Sequence, residues 1–112
     1  MREFTELTSI YVTETFIQEH PLAFLYISQP NCSVCHALLP KIKELMTTYP
    51  EIALGHLSTT TVEEVAGRFS IFTVPVLLLF VEGKEYIREA RIVHIDILDQ
   101  KIQRIYKNVV GP

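Results

Sequence analysis

The chain contains no tryptophan, only two cysteines and four glycines, and no excess of positive charge. Each shortage excludes something. Ten Lys and Arg against thirteen Asp and Glu leave a formal charge of -3. The chain therefore lacks the basic face that neutralises the phosphates of a nucleic acid or an anionic membrane. Its longest apolar runs, Leu22–Ile27 and Val74–Val81, fall far short of the ~20 residues that span a bilayer. The opening stretch carries Glu3, Glu6 and Glu14 and so lacks the uninterrupted apolar region of a signal peptide. The glycines, at 55, 67, 83 and 111, are scattered, and no repeat, low-complexity tract or Pro/Gly-rich linker divides the chain. These exclusions leave a soluble cytoplasmic protein that binds neither nucleic acid nor membrane.

What is present fits one domain over residues 1–112, at the commonest domain size. With 48% hydrophobic residues, such a chain buries roughly two-thirds of its unfolded surface and folds without a metal or disulfide scaffold. Ile10–Glu19 reads as a helix with Ile10, Phe16 and Ile17 on one side, closed by Pro21. Leu22–Ser28 is nearly all apolar and rich in aromatics, as in a strand buried on both faces. From Ser33 to Tyr49, apolar residues at 35, 38, 39, 42, 45, 46 and 49 mark an amphipathic helix, with Pro40 expected to kink it and Pro50 to stop it. Ile52–Ser58 suits a strand. A short helix through Arg68 follows, with Thr60-x-x-Glu63 and Thr61-x-x-Glu64 both matching a capping box. Val74–Val81, the Glu82-Gly83 turn and Lys84–Ile92 read as a hairpin, and Ile95, Leu98, Ile102, Ile105 and Tyr106 mark a last helix. Parallel crossovers combined with a terminal hairpin predict an α/β fold: a central mixed sheet of four to five strands with helices on both faces.

The two cysteines sit three apart, as Cys32-Ser33-Val34-Cys35. In a reducing cytosol such a pair is not a passive staple, and the loop it closes is too short to restrict the unfolded chain much. Cys32 falls just after a buried strand, where the long helix begins. Unpaired N–H groups and the helix dipole there favour a thiolate over a thiol. Cys32 is thus the expected attacking group. Cys35, on the same helix face one turn inside, can resolve the mixed disulfide.

Taken with Pro40 and the Thr73-Val74-Pro75 segment, this arrangement resembles the thioredoxin family over nearly the whole chain. The resemblance implies a thioredoxin fold and thiol–disulfide oxidoreductase activity on protein disulfides. A reductase or low-molecular-weight thiol would recycle a monomer that needs no cofactor and no metal. It also implies a cis bond between Val74 and Pro75, with Thr73 and Val74 contacting substrate backbone as an added strand. Four features depart from the family pattern. Trp-Cys-Gly-Pro-Cys is replaced by Asn31-Cys32-Ser33-Val34-Cys35. The family's buried aspartate falls at Tyr26, a phenol and a poor base at neutral pH. The family's nearby lysine maps to His56, and a Gly-containing loop maps to Arg91-Ile92, which should narrow or recharge the substrate groove. Tyr26, Ser33, Val34 and His36 are therefore the residues expected to modulate the cysteines, His36 through partial positive charge beside them.

Other readings of the same residues compete. Cys32-Ser-Val-Cys35-His36 fits the Cys-x-x-Cys-His pattern of haem attachment, but Met1 and Met46 are the only methionine ligands on offer and Met46 belongs to the apolar stripe. Zinc wants four ligands, and no second cysteine pair exists. His20 and His94 read as a loop residue and a helix-cap neighbour. Two inert buried thiols in a thioredoxin-like binding module, its catalysis weakened by the Tyr26 and tryptophan changes, form the alternative to an enzyme. Ile71 and Phe72 read equally as core or as exposed contacts.

Overall fold

A computed structural model describes residues 2–111. A two-residue strand β1 (Thr5–Glu6) leads into helix α1 (Ile10–Glu19), strand β2 (Leu22–Ser28) and helix α2 (Ser33–Leu45), which ends in a single 3-10 turn, Met46–Thr48. Strand β3 (Ala53–Ser58), the short helix α3 (Glu64–Arg68), the hairpin of β4 (Val76–Val81) and β5 (Lys84–Ala90), and helix α4 (Ile95–Val109) complete the chain. The strands form one mixed sheet in the order β1-β3-β2-β4-β5. β3 runs parallel to β1 and β2, while β4 is antiparallel to both β2 and β5.

The central position of β2 explains its sequence. All seven of its residues are buried, because neighbouring strands cover both edges and helices cover both faces. Leu22, Phe24 and Tyr26 point into a core shared with Ile42 and Met46 of the α2 region and Leu98 and Ile102 of α4. Ala23, Leu25 and Ile27 point the other way, onto Phe16 and Ile17 of α1 and Val65 of α3. The alternation of a strand thus feeds two cores from one segment.

Helices α1 and α2 start on side-chain acceptors. Ser9 Oγ accepts the Val12 N–H at 3.0 Å, and Cys32 Sγ accepts the Cys35 N–H at 3.0 Å. Helix α2 continues through Pro40, which leaves the His36 carbonyl without its usual N–H partner. Arg2 ties the chain start to the segment between α2 and β3. Its guanidinium donates to the carbonyls of Met46, Tyr49 and Ile52 at 3.3, 2.7 and 2.7 Å. Gly55 leaves room for the side chain of Leu7, just past β1. A Cβ there would lie 2.6 Å from Leu7 Cδ1, 3.1 Å from Phe16 and 3.2 Å from Leu25. Glu82 and Gly83 both have positive φ, 50° and 81°, and form the tight turn expected between β4 and β5.

Some sequence expectations shift. The capping boxes at Thr60 and Thr61 do not form: α3 begins at Glu64 with no side-chain cap. Ser58 takes the polar groups instead, its Oγ bonding Thr60 Oγ1 at 2.8 Å and accepting the Thr60 N–H at 3.2 Å. The second strand starts at Ala53 rather than Ile52, the hairpin strands span Val76–Val81 and Lys84–Ala90, and β1 is an addition. Ile71 is buried, whereas Phe72 is 93% exposed. His94 occupies the cap position of α4 without a side-chain bond, and His20 closes α1 with Nδ1 2.8 Å from the Phe16 carbonyl. No helix among the described residues is long and apolar enough to cross a membrane.

Candidate active site

Cys32 is the cap residue of α2 and has extended backbone. It is joined to Cys35 by a disulfide, with the two Cα atoms 5.2 Å apart. The buried β2 run brings the chain out of the sheet at Ser28, and the turn through residues 29–32 aims the helix start at the surface. The Cys32 N–H donates to the Gln29 carbonyl at 3.2 Å, which closes that turn. The two sulfurs differ in access. Cys35 is 1% exposed and packs in the core, while Cys32 is only partly buried.

Cys32 opens onto a groove of about 540 Å³ that also contains Ser33, Val34, Phe72, Thr73 and Val74. Every side chain lining it is uncharged. The peptide bond between Val74 and Pro75 is cis, as the family resemblance implied. Thr73 and Val74 are half-buried at the groove wall, and Pro75 is buried behind them. Arg91 and Ile92 do not line this groove. The expected narrowing or recharging of the groove by that loop is therefore not seen; Arg91 instead donates its N–H to the Pro75 carbonyl at 2.9 Å, and Ile92 is 76% exposed.

A second cavity, of about 270 Å³, borders Cys35 but not Cys32. Tyr26, Cys35, His36, Ser28 and His56 are among its walls. The Tyr26 hydroxyl donates to the Cys35 carbonyl at 2.6 Å, and burial pushes its pKa up to about 12. It is neutral at physiological pH and anchors the helix start rather than acting as a base. His36 is exposed, and its Nε2 donates to the Pro30 carbonyl at 2.8 Å. That bond turns the ring back over the turn before Cys32.

His56 stands opposite Tyr26 in the parallel pairing of β2 with β3, and the two rings stack with centroids 6.0 Å apart. Its Nδ1 lies 2.7 Å from Glu6 Oε1 and its Nε2 2.7 Å from Ser28 Oγ. Sequence reasoning missed Glu6 and Ser28. The only signal for Ser28 was a hydroxyl ending an otherwise apolar run; for Glu6 there was none. Among the described residues no group of three or more His, Cys, Asp or Glu is placed to hold a metal ion.

The fold has many counterparts. Thioredoxin from Fasciola hepatica superposes with a TM-score of 0.80, covering 93% of this chain and 98% of its own at 24% identity. Thioredoxin from Plasmodium falciparum superposes with a TM-score of 0.81, covering 89% and 97% of the two chains at 19% identity. Those identities show the fold alone. Sequence comparison goes further. The family model described as Thioredoxin matches residues 6–104. The chain is also 52% identical to the thioredoxin-like protein YdfQ of Bacillus subtilis, over 99% of each chain. The shared fold, the full-length sequence match and a Cys-x-x-Cys pair at disulfide distance agree: the chain belongs to the thioredoxin family and is a thiol–disulfide oxidoreductase.

Proposed function

We propose that Cys32 is the nucleophile and Cys35 the resolving thiol of a cytoplasmic enzyme that reduces or exchanges protein disulfides. The observation carrying this reading is the unequal access of the two sulfurs: Cys32 stands at the rim of the open groove, while Cys35 is 1% exposed. A substrate disulfide reaches Cys32 first. The cap position supports the same order, since helix N–H groups and the dipole stabilise a Cys32 thiolate, and Cys32 Sγ already accepts the Cys35 N–H.

In the forward direction the Cys32 thiolate attacks one sulfur of the substrate disulfide, and the other sulfur leaves as a thiolate. Cys35, as thiolate, then attacks Cys32 Sγ. The Cys32–Cys35 bond forms, the bond to substrate breaks, and two electrons have passed to the substrate. Backbone at Thr73 and Val74 holds the substrate segment in extended form beside Cys32, with Pro75 fixing that wall of the groove. Ser33 and Val34 sit between the sulfurs and tune their balance, as does His36 from the adjacent turn. Both reacting sulfurs belong to one chain, so a monomer suffices. Electrons come from a reductase or a low-molecular-weight thiol, and no bound cofactor is required.

Cys32→Ser should abolish turnover, and Cys35→Ser should accumulate mixed disulfides with protein substrates. Normal turnover by either variant would sink this mechanism. Equilibration in graded glutathione buffers, with alkylated thiols counted by mass, should show one linked two-thiol transition. A midpoint near about -270 mV marks a reductant, and one between about -200 and -120 mV an isomerase or oxidant. Two independent thiols would leave a binding module in place of an enzyme.

A further inference from the structure

Resolution by Cys35 requires its thiol to lose a proton inside the protein, and the phenol beside it is no base. Tyr26 touches the Cys35 carbonyl but keeps its own proton. The walls of the second cavity offer an alternative: His56, bonded on one side to a buried hydroxyl and on the other to a carboxylate. We propose that the hydrogen-bonded chain Ser28–His56–Glu6 is the proton path between Cys35 and solvent, with His56 as the proton acceptor. The proposal rests on the two-cysteine reading above and adds to it the group that moves the proton.

The geometry specifies the tautomer. Glu6 is acceptor-only when ionised, so His56 Nδ1 carries the hydrogen that it accepts at 2.7 Å. Nε2 of the neutral ring is then the acceptor, and Ser28 Oγ–H is the donor at 2.7 Å. This is the arrangement of an oriented base: a carboxylate fixes the ring, and the free nitrogen faces a hydroxyl that can relay a proton. Accessibility grades along the chain in the direction a proton must travel. Ser28 is buried at 7%, the His56 side chain is 21% exposed and that of Glu6 59%. Cys35 and Ser28 line the same cavity of about 270 Å³; most of its exposed wall is apolar, and Ser28, Gln29, His36, His56 and Ser58 supply the polar side chains that a bridging water would need.

In the resolving step, Cys35 Sγ–H passes its proton through water to Ser28 Oγ, while the Ser28 hydroxyl proton moves to His56 Nε2. The thiolate so formed attacks Cys32 Sγ, and the substrate sulfur leaves. The imidazolium, held by the Glu6 carboxylate, releases its proton to solvent. When the enzyme is reduced again, the same chain runs backwards and protonates the departing Cys35 thiolate. The groups facing His56 or its cavity are Glu6 from β1, Tyr26 and Ser28 from β2, Cys35 and His36 from α2, and Ser58 from β3. His36 commits Nε2–H to the Pro30 carbonyl, which leaves His56 as the ring whose free nitrogen faces inward.

The test follows release of thionitrobenzoate when the reduced protein meets the chromogenic disulfide bis(nitrobenzoate). The first equivalent reports attack by Cys32, and the second reports resolution by Cys35. Wild type should release the second equivalent promptly after the first at neutral pH. His56→Gln should slow the second release by about 10²-fold at neutral pH and leave the first unchanged. Glu6→Gln alters only an exposed carboxylate. It keeps the fold and should slow the second phase by a smaller factor than His56→Gln, again with the first unchanged, because the ring loses the carboxylate that orients it. A second phase unchanged in both variants, or one slowed only in step with the first, overturns the proton path while the two-cysteine mechanism stands. If wild type releases a single equivalent, the path falls together with that mechanism.

Discussion

The Tyr26 hydroxyl donates a 2.6 Å hydrogen bond to the carbonyl of Cys35, linking the centre of the sheet to the start of the active-site helix. The phenol occupies the position where the family resemblance expected a buried carboxylate, and it has the opposite character: a donor that stays neutral. The helix start carrying both sulfurs is anchored by a bond that does not change with pH below the alkaline range.

Tyr26→Phe removes the hydroxyl and leaves no buried donor unpaired, so the loss should be that of one hydrogen bond. Urea unfolding should show about 1 kcal/mol less stability. The midpoint of the thiol–disulfide equilibrium should stay within error of wild type, since no charge is altered. A large shift in that midpoint would mean that the phenol does more than anchor the helix.

The same phenol gives the stability an alkaline limit. Tyr26 ionises near pH ~10 in the unfolded chain and at about 12 in the folded one, because burial disfavours the phenolate. Tyr49 shifts in the same direction through burial and its bond to the Asp99 carboxylate. The folded chain thus retains protons that the unfolded chain releases. The stability this contributes is complete below pH ~10 and falls as pH rises through the folded value. Urea unfolding of the oxidised protein, which has no free thiol, should show that decline, and Tyr26→Phe should flatten it. An identical slope in the variant would refute the assignment.

Gly55→Ala should destabilise the protein by about 1–3 kcal/mol, the usual cost of overpacking. The new methyl would meet Leu7 Cδ1 at 2.6 Å with Phe16 and Leu25 close behind, and Leu7 is itself buried. The damage should centre on β1, so hydrogen exchange at Leu7, whose N–H bonds the His56 carbonyl at 2.8 Å, should speed up more than exchange in β4. Uniform acceleration across the sheet would contradict this.

Phe72→Ala separates binding from stability. A side chain 93% exposed contributes little to folding, so stability should stay within about 0.5 kcal/mol. Phe72 lines the groove beside Cys32, and KM for a protein disulfide should rise by about 3- to 10-fold with kcat little changed. An unchanged KM would place substrate elsewhere.

The parts of this structure legible in sequence are those fixed by local chemistry. The bounds of α1 and β2 were readable because Pro21 separates a 3.6-residue pattern from an unbroken apolar run. The end of that run and the apolar stripe from Cys35 to Tyr49 placed Cys32 at a helix start for the same kind of reason. Thr60 and Thr61 misled because a capping box is a pattern of residue types, and Ser58, two and three residues upstream, competes for the same polar groups. Phe72 and Ile71 are neighbours with identical sequence signals, and only tertiary packing buries one and exposes the other. Least legible was the Ser28–His56–Glu6 chain, whose members come from three strands and meet only through strand register. With two residues, β1 carries no periodicity to read.

The short β1 segment bears on how the protein must be handled. Arg2, which clamps three carbonyls beyond α2, and Glu6, which pairs with His56, both lie within the first six residues. A protease that trims this end, or a fusion partner that pulls it from the sheet edge, would leave the cysteines and their helix covalently intact. What it would take away is a brace on the far end of that helix and the counter-charge of a histidine beside the buried thiol. Heterogeneity at the N-terminus would therefore show up as heterogeneity in melting temperature and in the rate of thiol exchange, with the cysteine count by mass unaltered.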